Sequence, residues 1–242
     1  MIKQLKKDIK LRNIEAINDF LIALKDKPME DIFSIIDYIL NIEDQEILSK
    51  ILLNLTYLLG ELGKNYNLDE KYINFLHQQY FRSDRWVRKE ILETLKKMLQ
   101  FNNKVSKKIE EIIYNGLSEE YIPSKIIAIE ILDLMGKIPL YFYPRIIKLL
   151  DSANQKVLES LEKIVKKYFK NDEELLQILN DDENYKLLNK NSIRIILITL
   201  FQSIESLEKF KSKISETNWS RKYKELILNE IRVYEKILRS HL

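Results

Sequence analysis

Three segments of this chain line up at a constant spacing, and that repeat constrains the fold more than any other feature. "EDQEILSKILLNLTYLL" begins at Glu43, "SDRWVRKEILETLKKML" at Ser83 and "PSKIIAIEILDLMGKIP" at Pro123, a period of 40 residues. Four apolar positions coincide in all three copies. They are Ile47, Val87 and Ile127; Ile51, Ile91 and Ile131; Leu52, Leu92 and Leu132; and Leu55, Leu95 and Met135. The preceding segments echo one another too: "IIDYIL" (35–40), "YINFL" (72–76) and "IIYNGL" (112–117). Each copy therefore reads as two amphipathic helices. One such pair cannot bury its own apolar stripe, whereas stacked pairs make a continuous core.

Helical periodicity extends along nearly the whole chain, over 12–25, 28–40, 44–62, 68–81, 84–100, 104–117, 123–136, 139–151, 153–169, 172–180, 190–203, 205–215 and 218–240. Asp44, Asp84 and Asn171 stand where N-caps are wanted, and Pro28 and Pro123 fall in first turns. Only 4 Gly and 4 Pro occur, too few to punctuate a β or α/β fold of this length. Beyond the third copy, "VLESL" (157–161) and "IILITL" (195–200) continue the theme at irregular spacing. The expected fold is all-α: a right-handed α–α superhelix of about five to six antiparallel helix pairs. It forms one domain, 1–242, with an N-terminal cap at 1–27, repeats over 28–204 and a C-terminal cap at 205–242.

"SDRWVRKEIL" resembles the start of the second helix in HEAT-like (armadillo-type) repeats, where Asp is followed by Val-Arg and an apolar run. Asp84, Val87 and Arg88 match, Asp44 and Ile47 match in part, and Leu48 stands where Arg is expected. Ser124 and Ala128 replace Asp and Arg in the third copy. The resemblance implies a solenoid and no single function.

On a helical wheel centred on Val87, Arg88 falls at about 100°, inside the apolar sector, and Trp86 at about 260°, among charged residues. A cation in an apolar sector needs a partner. Arg88 is thus expected to reach an inter-helix carboxylate or loop carbonyls, as in the resembling repeats. Trp86 is expected to be partly covered by a neighbouring helix, the other reading being an exposed recognition anchor.

Chemistry is sparse. The absence of Cys excludes thiolate nucleophiles and thiolate zinc sites. Two histidines, His77 and His241, are too few for a three-His metal site, and no phosphate-cradling Gly loop occurs. The acidic runs "NIEDQE" (41–46) and "NDDEN" (180–184) fit no EF-hand and read as turns and caps. No catalytic set, cofactor or metal is expected. The chain has no 18-residue apolar run, and its start, "MIKQLKKDIKLRN", lacks an apolar signal core, so a cytoplasmic protein is expected. That basic start reads as a frayed arm or helix, and the C-terminal "WSRKYKELILNEIRVYEKILRSHL" as a capping helix.

The net charge of +3 hides an uneven distribution. Residues 17–70 hold eleven acids against four bases, net −7, and residues 82–108 nine bases against three acids, net +6. In a solenoid this predicts an acidic region beside a basic one. Arg82, Arg85, Trp86, Lys89, Lys96 and Lys97 are the candidate binding residues for a partner or a nucleic acid; Asp84, Val87 and Arg88 are the structural motif.

"FRSDRWVRKE" also looks similar to helix starts in alkylpurine DNA glycosylases built from HEAT-like repeats. That likeness would require a Trp-plus-Asp pair ahead of the motif and an Arg in the next repeat. Here Tyr66 precedes Asp69, and the next repeat reads "YIPSKIIAIEIL". The leading expectation is a non-enzymatic scaffold for a protein partner. A nucleic-acid-binding solenoid is the alternative, with glycosylase activity ranked below both.

Overall fold

The computed structural model describes residues 1–25, 27, 29–169 and 172–240, with the side chains of 29–31 outside the description. Asp26, Pro28, Asn171 and His241 therefore lie outside the described residues, as do the side chains of Glu30 and Asp31. The described residues form fourteen α-helices and two 3-10 segments and contain no strand. No described helix is long and apolar enough to cross a membrane.

The chain divides into two compact units, Met1–Leu134 and Met135–Leu242. In the first, the helices are α1 (Ile2–Lys10), α2 (Ile14–Leu24), α3 (Met29–Leu40), α4 (Gln45–Gly63), α5 (Glu70–Arg82), α6 (Arg85–Phe101), α7 (Lys107–Gly116) and α8 (Ile122–Leu134). Here α2, α4, α6 and α8 pack side by side as one layer, while α5 packs on α7, and on α6 across the two-residue turn Ser83–Asp84. All twelve residues of the aligned positions are buried, the most exposed being Val87 at 8%. Each buried Leu or Ile contributes about 1.5–3 kcal/mol over an exposed one, so this stripe drives the stacking.

Neighbouring helices approach closely where side chains are missing. A Cβ on Gly63 would stand 2.4 Å from Met98 Cγ, and one on Gly116 would stand 2.9 Å from Ala128 Cβ.

The second unit contains α9 (Tyr143–Leu149), α10 (Gln155–Tyr168), α11 (Asp172–Asn180), α12 (Lys190–Leu200), α13 (Ile204–Glu216) and α14 (Arg221–Ser240). α12 packs on α10 and α14, again helices two apart in sequence. α14 closes this unit against α12 and α13, and Trp219 just before it stacks on Tyr185 at 4.7 Å and donates to Asn180 Oδ1 at 2.5 Å.

Two sequence readings gain detail, and one, the single helix over 139–151, is corrected. The basic start is an ordered helix, α1, with Leu5 fully buried, and Arg12 ties it to Asp44 and Glu46 at 2.6 and 2.9 Å. The segment 139–151 does not form one helix. Pro144 cannot donate within a helix and clashes one turn back, so a 3-10 turn, Leu140–Phe142, precedes α9. The "NDDEN" run opens a 3-10 segment, Asp181–Leu187, with Asp182 and Glu183 in the left-handed region (φ 45° and 56°).

Candidate functional site

The site grows out of the turn between α5 and α6. Asp84 caps α6, its Oδ1 accepting from the Trp86 and Val87 amides at 2.9 and 3.1 Å. Asp44 does the same for α4, accepting from Glu46 and Ile47. In the third copy the helix starts earlier, at Ile122, so Ser124 is a buried first-turn residue whose Oγ has no hydrogen-bond partner among the described residues.

The cap fixes where the next side chains go. Arg88 turns inward and makes a side-on pair with Glu119, Nε to Oε1 at 2.7 Å and Nη2 to Oε2 at 3.1 Å. Its Nη1 donates to the Ser83 carbonyl at 2.8 Å. Both expected partner types, an inter-helix carboxylate and a loop carbonyl, are thus present. The Tyr80 hydroxyl also donates to Glu119 Oε1, at 2.9 Å. Donating to the Glu119 carboxylate favours the charged form of Arg88 and raises its pKa. Burial, followed by that same carboxylate, pushes the Tyr80 phenol far above its usual range. Glu119 is committed to this network.

Trp86 points outward and keeps 51% of its surface exposed. Tyr121, from the turn before α8, meets it edge-on at 5.5 Å. The Arg85 guanidinium sits 4.9 Å from the Trp86 ring and 5.5 Å from the Tyr121 ring. Phe81, 48% exposed, lies on the other side of the same turn. Phe81, Arg85 and Tyr121 line an open groove of about 750 Å³ together with Tyr80, Arg88, Glu119, Glu120 and Pro123, and Trp86 stands beside it against Arg85 and Tyr121.

The candidate residues do not form one basic strip. Arg82, Arg85 and Trp86 share the α5–α6 turn, and among the described residues neither arginine pairs with a carboxylate. Lys89, Lys96 and Lys97 run down α6 and are engaged. Lys89 lies 3.7 Å from Glu93, Lys96 2.7 Å from Glu130 and Lys97 3.0 Å from Glu61. Lys97 also sits 4.9 Å from the Tyr57 ring. Glu61 is itself held below the usual carboxylate range, because bonds from Lys64 and Lys97 outweigh its burial. The expected contrast of an acidic and a basic region is therefore largely cancelled between adjacent helices. Arg88–Glu119, Lys96–Glu130 and Lys97–Glu61 each join charges more than thirty residues apart.

At the positions of the glycosylase-like pair, Tyr66 is 40% exposed and Asp69 is the exposed N-cap residue of α5. Among the described residues no cluster of three or more His, Asp or Glu is placed to hold a metal.

Phe81 and Tyr121 are not among the sequence candidates. Their signal is nonetheless present: they are 40 residues apart, the same position in successive repeats. No family model matches the sequence, and no curated protein matches it. The solved crystal structure of an engineered protein aligns over 96% of this chain and 96% of its own, at 15% identity and a TM-score of 0.46, a likeness too slight to argue from.

Proposed function

We propose that this chain is a HEAT-like repeat scaffold that holds a segment of a protein partner in the groove at the α5–α6 turn, without catalysis of its own. The observation that carries this reading is an open groove lined by Phe81, Tyr121 and Arg85, the Arg85 guanidinium lying against the Tyr121 ring and the exposed Trp86 ring beside the groove. Exposed aromatic and arginine side chains beside a pocket are the residue types that dominate binding energy at protein interfaces. The HEAT-like assignment draws on the aspartate cap, the inward Arg88 and the buried repeat positions. Nucleic-acid binding is the weaker reading, since Lys89, Lys96 and Lys97 already face carboxylates that a phosphate backbone would have to displace.

The test compares affinity capture from native lysate by wild type, Trp86→Ala and Phe81→Ala. A protein retained by wild type and lost from both variants, with unchanged circular dichroism, supports the reading. Capture that ignores both substitutions rejects the groove as the interface.

A further inference from the structure

We infer that the groove selects a carboxylate: its ligand is a short acidic–apolar peptide segment of the partner, with an Asp or Glu side chain clamped by Arg85. This inference rests on the function proposed above and specifies its chemistry. The argument starts from the contrast between two arginines three residues apart. Arg88 spends its donors on Glu119 and on the Ser83 carbonyl. Arg85 is exposed, and among the described residues it has no hydrogen-bond or ion-pair partner, only the Trp86 and Tyr121 rings.

Contact between a cation and an aromatic ring is electrostatic and consumes no N–H. A guanidinium has five N–H donors in one plane, so the fork of Arg85 is held by its neighbours and still unspent. Holding it in place removes part of the entropy cost of ordering a long side chain, and a planar fork matches a carboxylate through two parallel hydrogen bonds. Arg82, at the end of α5 across the same turn, is a second exposed cation, without a carboxylate partner among the described residues.

The surroundings choose between kinds of anion. A nucleic-acid strand would need a track of free cations beyond Arg85, but the lysines along α6 are paired. Glu120 also stands exposed at the groove edge and repels a dense polyanion. Glu119 does not compete for Arg85, because Arg88 and Tyr80 occupy it. What remains is room for one or two carboxylates beside apolar contacts on Phe81 and Pro123, which suits an acidic peptide carrying a Leu or Phe side chain.

The experiment pans a random displayed-peptide library on the full chain. Winning peptides are then labelled with fluorescein and titrated by anisotropy against wild type, Arg85→Gln, Trp86→Ala and Phe81→Ala. Arg85→Gln should melt with wild type, since Arg85 supports nothing but its own stacking. The expected winners place Asp or Glu next to an apolar residue. Arg85→Gln should weaken them about tenfold, the scale of one charge-assisted bidentate contact. Converting the peptide carboxylate to its amide should cost wild type the same factor and cost Arg85→Gln nothing further. Winners that carry no acid, or that bind Arg85→Gln as well as wild type, yet fail on Trp86→Ala, overturn the carboxylate assignment and leave the groove as the interface. Winners indifferent to Trp86→Ala and Phe81→Ala, or a library with no winners, overturn both. Oligothymidylate binding that exceeds the peptides and is lost in Arg85→Gln overturns the assignment in favour of nucleic acid.

Discussion

Replacing Arg88 by alanine tests whether the repeat motif is a structural tie. The substitution removes three hydrogen bonds, at 2.7, 3.1 and 2.8 Å, and leaves Glu119 with only the Tyr80 hydroxyl. Removing one partner of a fully buried ion pair costs about 3–5 kcal/mol, while exposed pairs contribute about 0–1 kcal/mol. The Arg88 side chain is 30% exposed and that of Glu119 11%, so the pair lies between these limits. After discounting for the solvent that reaches the arginine, a loss of about 2 kcal/mol is expected. For a chain of this size that lowers Tm by roughly 4–8 °C. Urea unfolding followed by circular dichroism, with a thermal melt, measures both. The double variant Arg88→Met, Glu119→Gln removes the stranded charge, keeps an acceptor for the Tyr80 hydroxyl and should recover to within about 1 kcal/mol of wild type. An Arg88→Ala chain within about 0.5 kcal/mol of wild type would refute the role assigned to Arg88.

Two further substitutions probe packing and titration. Gly116→Ala should destabilise by about 1–3 kcal/mol, because its Cβ would meet Ala128 at 2.9 Å and Leu92 at 3.1 Å, while Gly136→Ala, with nothing within 4 Å and no positive φ, should be neutral or stabilising; equal melts of the two variants would contradict this. Burial raises the Glu90 pKa despite Lys97 and Lys89, so its contribution favours the fold at low pH and is lost as pH rises through the folded-state value. Glu90→Gln should therefore be more stable than wild type near neutral pH, with the advantage shrinking toward about pH 4; a difference that does not change with pH would contradict it.

The stacking is legible in the sequence because three copies agree at positions that can only be core. Periodicity alone also turns Arg88 inward, and a buried cation demands an acceptor. It does not say which acceptor. Glu119 lies 31 residues on, in a turn whose location depends on how one repeat sits upon the next. The first copy has Leu48 in place of the arginine and Gln79 in place of the acid, so the tie is specific to one layer. The same dependence hides the groove. Trp86 and Arg85 stand out by composition, but Tyr121 meets them only through stacking. Charge misleads for a related reason: runs of one sign along the chain are matched by the opposite sign on the neighbouring repeat, as with Lys97 and Glu61. α1 is hard to see in the sequence because its exposed charged and polar positions outweigh the buried Leu5 and Asp8 in a short window.

The polar ties between successive helix pairs share one property with kinetic weight. Those joining Arg88 to Glu119, Lys96 to Glu130, Thr94 to the Thr56 carbonyl, Tyr234 to the Phe201 carbonyl and Asn191 to Asp151 span 31 to 40 residues. Loop-closure entropy grows with the logarithm of loop length, so each tie closes at nearly the same modest cost wherever it lies. Within each unit, a helix pair can then settle onto the one made before it while later residues are still being synthesised. Assembly can proceed as a zipper with short steps, in which an interruption strands only the pairs beyond it.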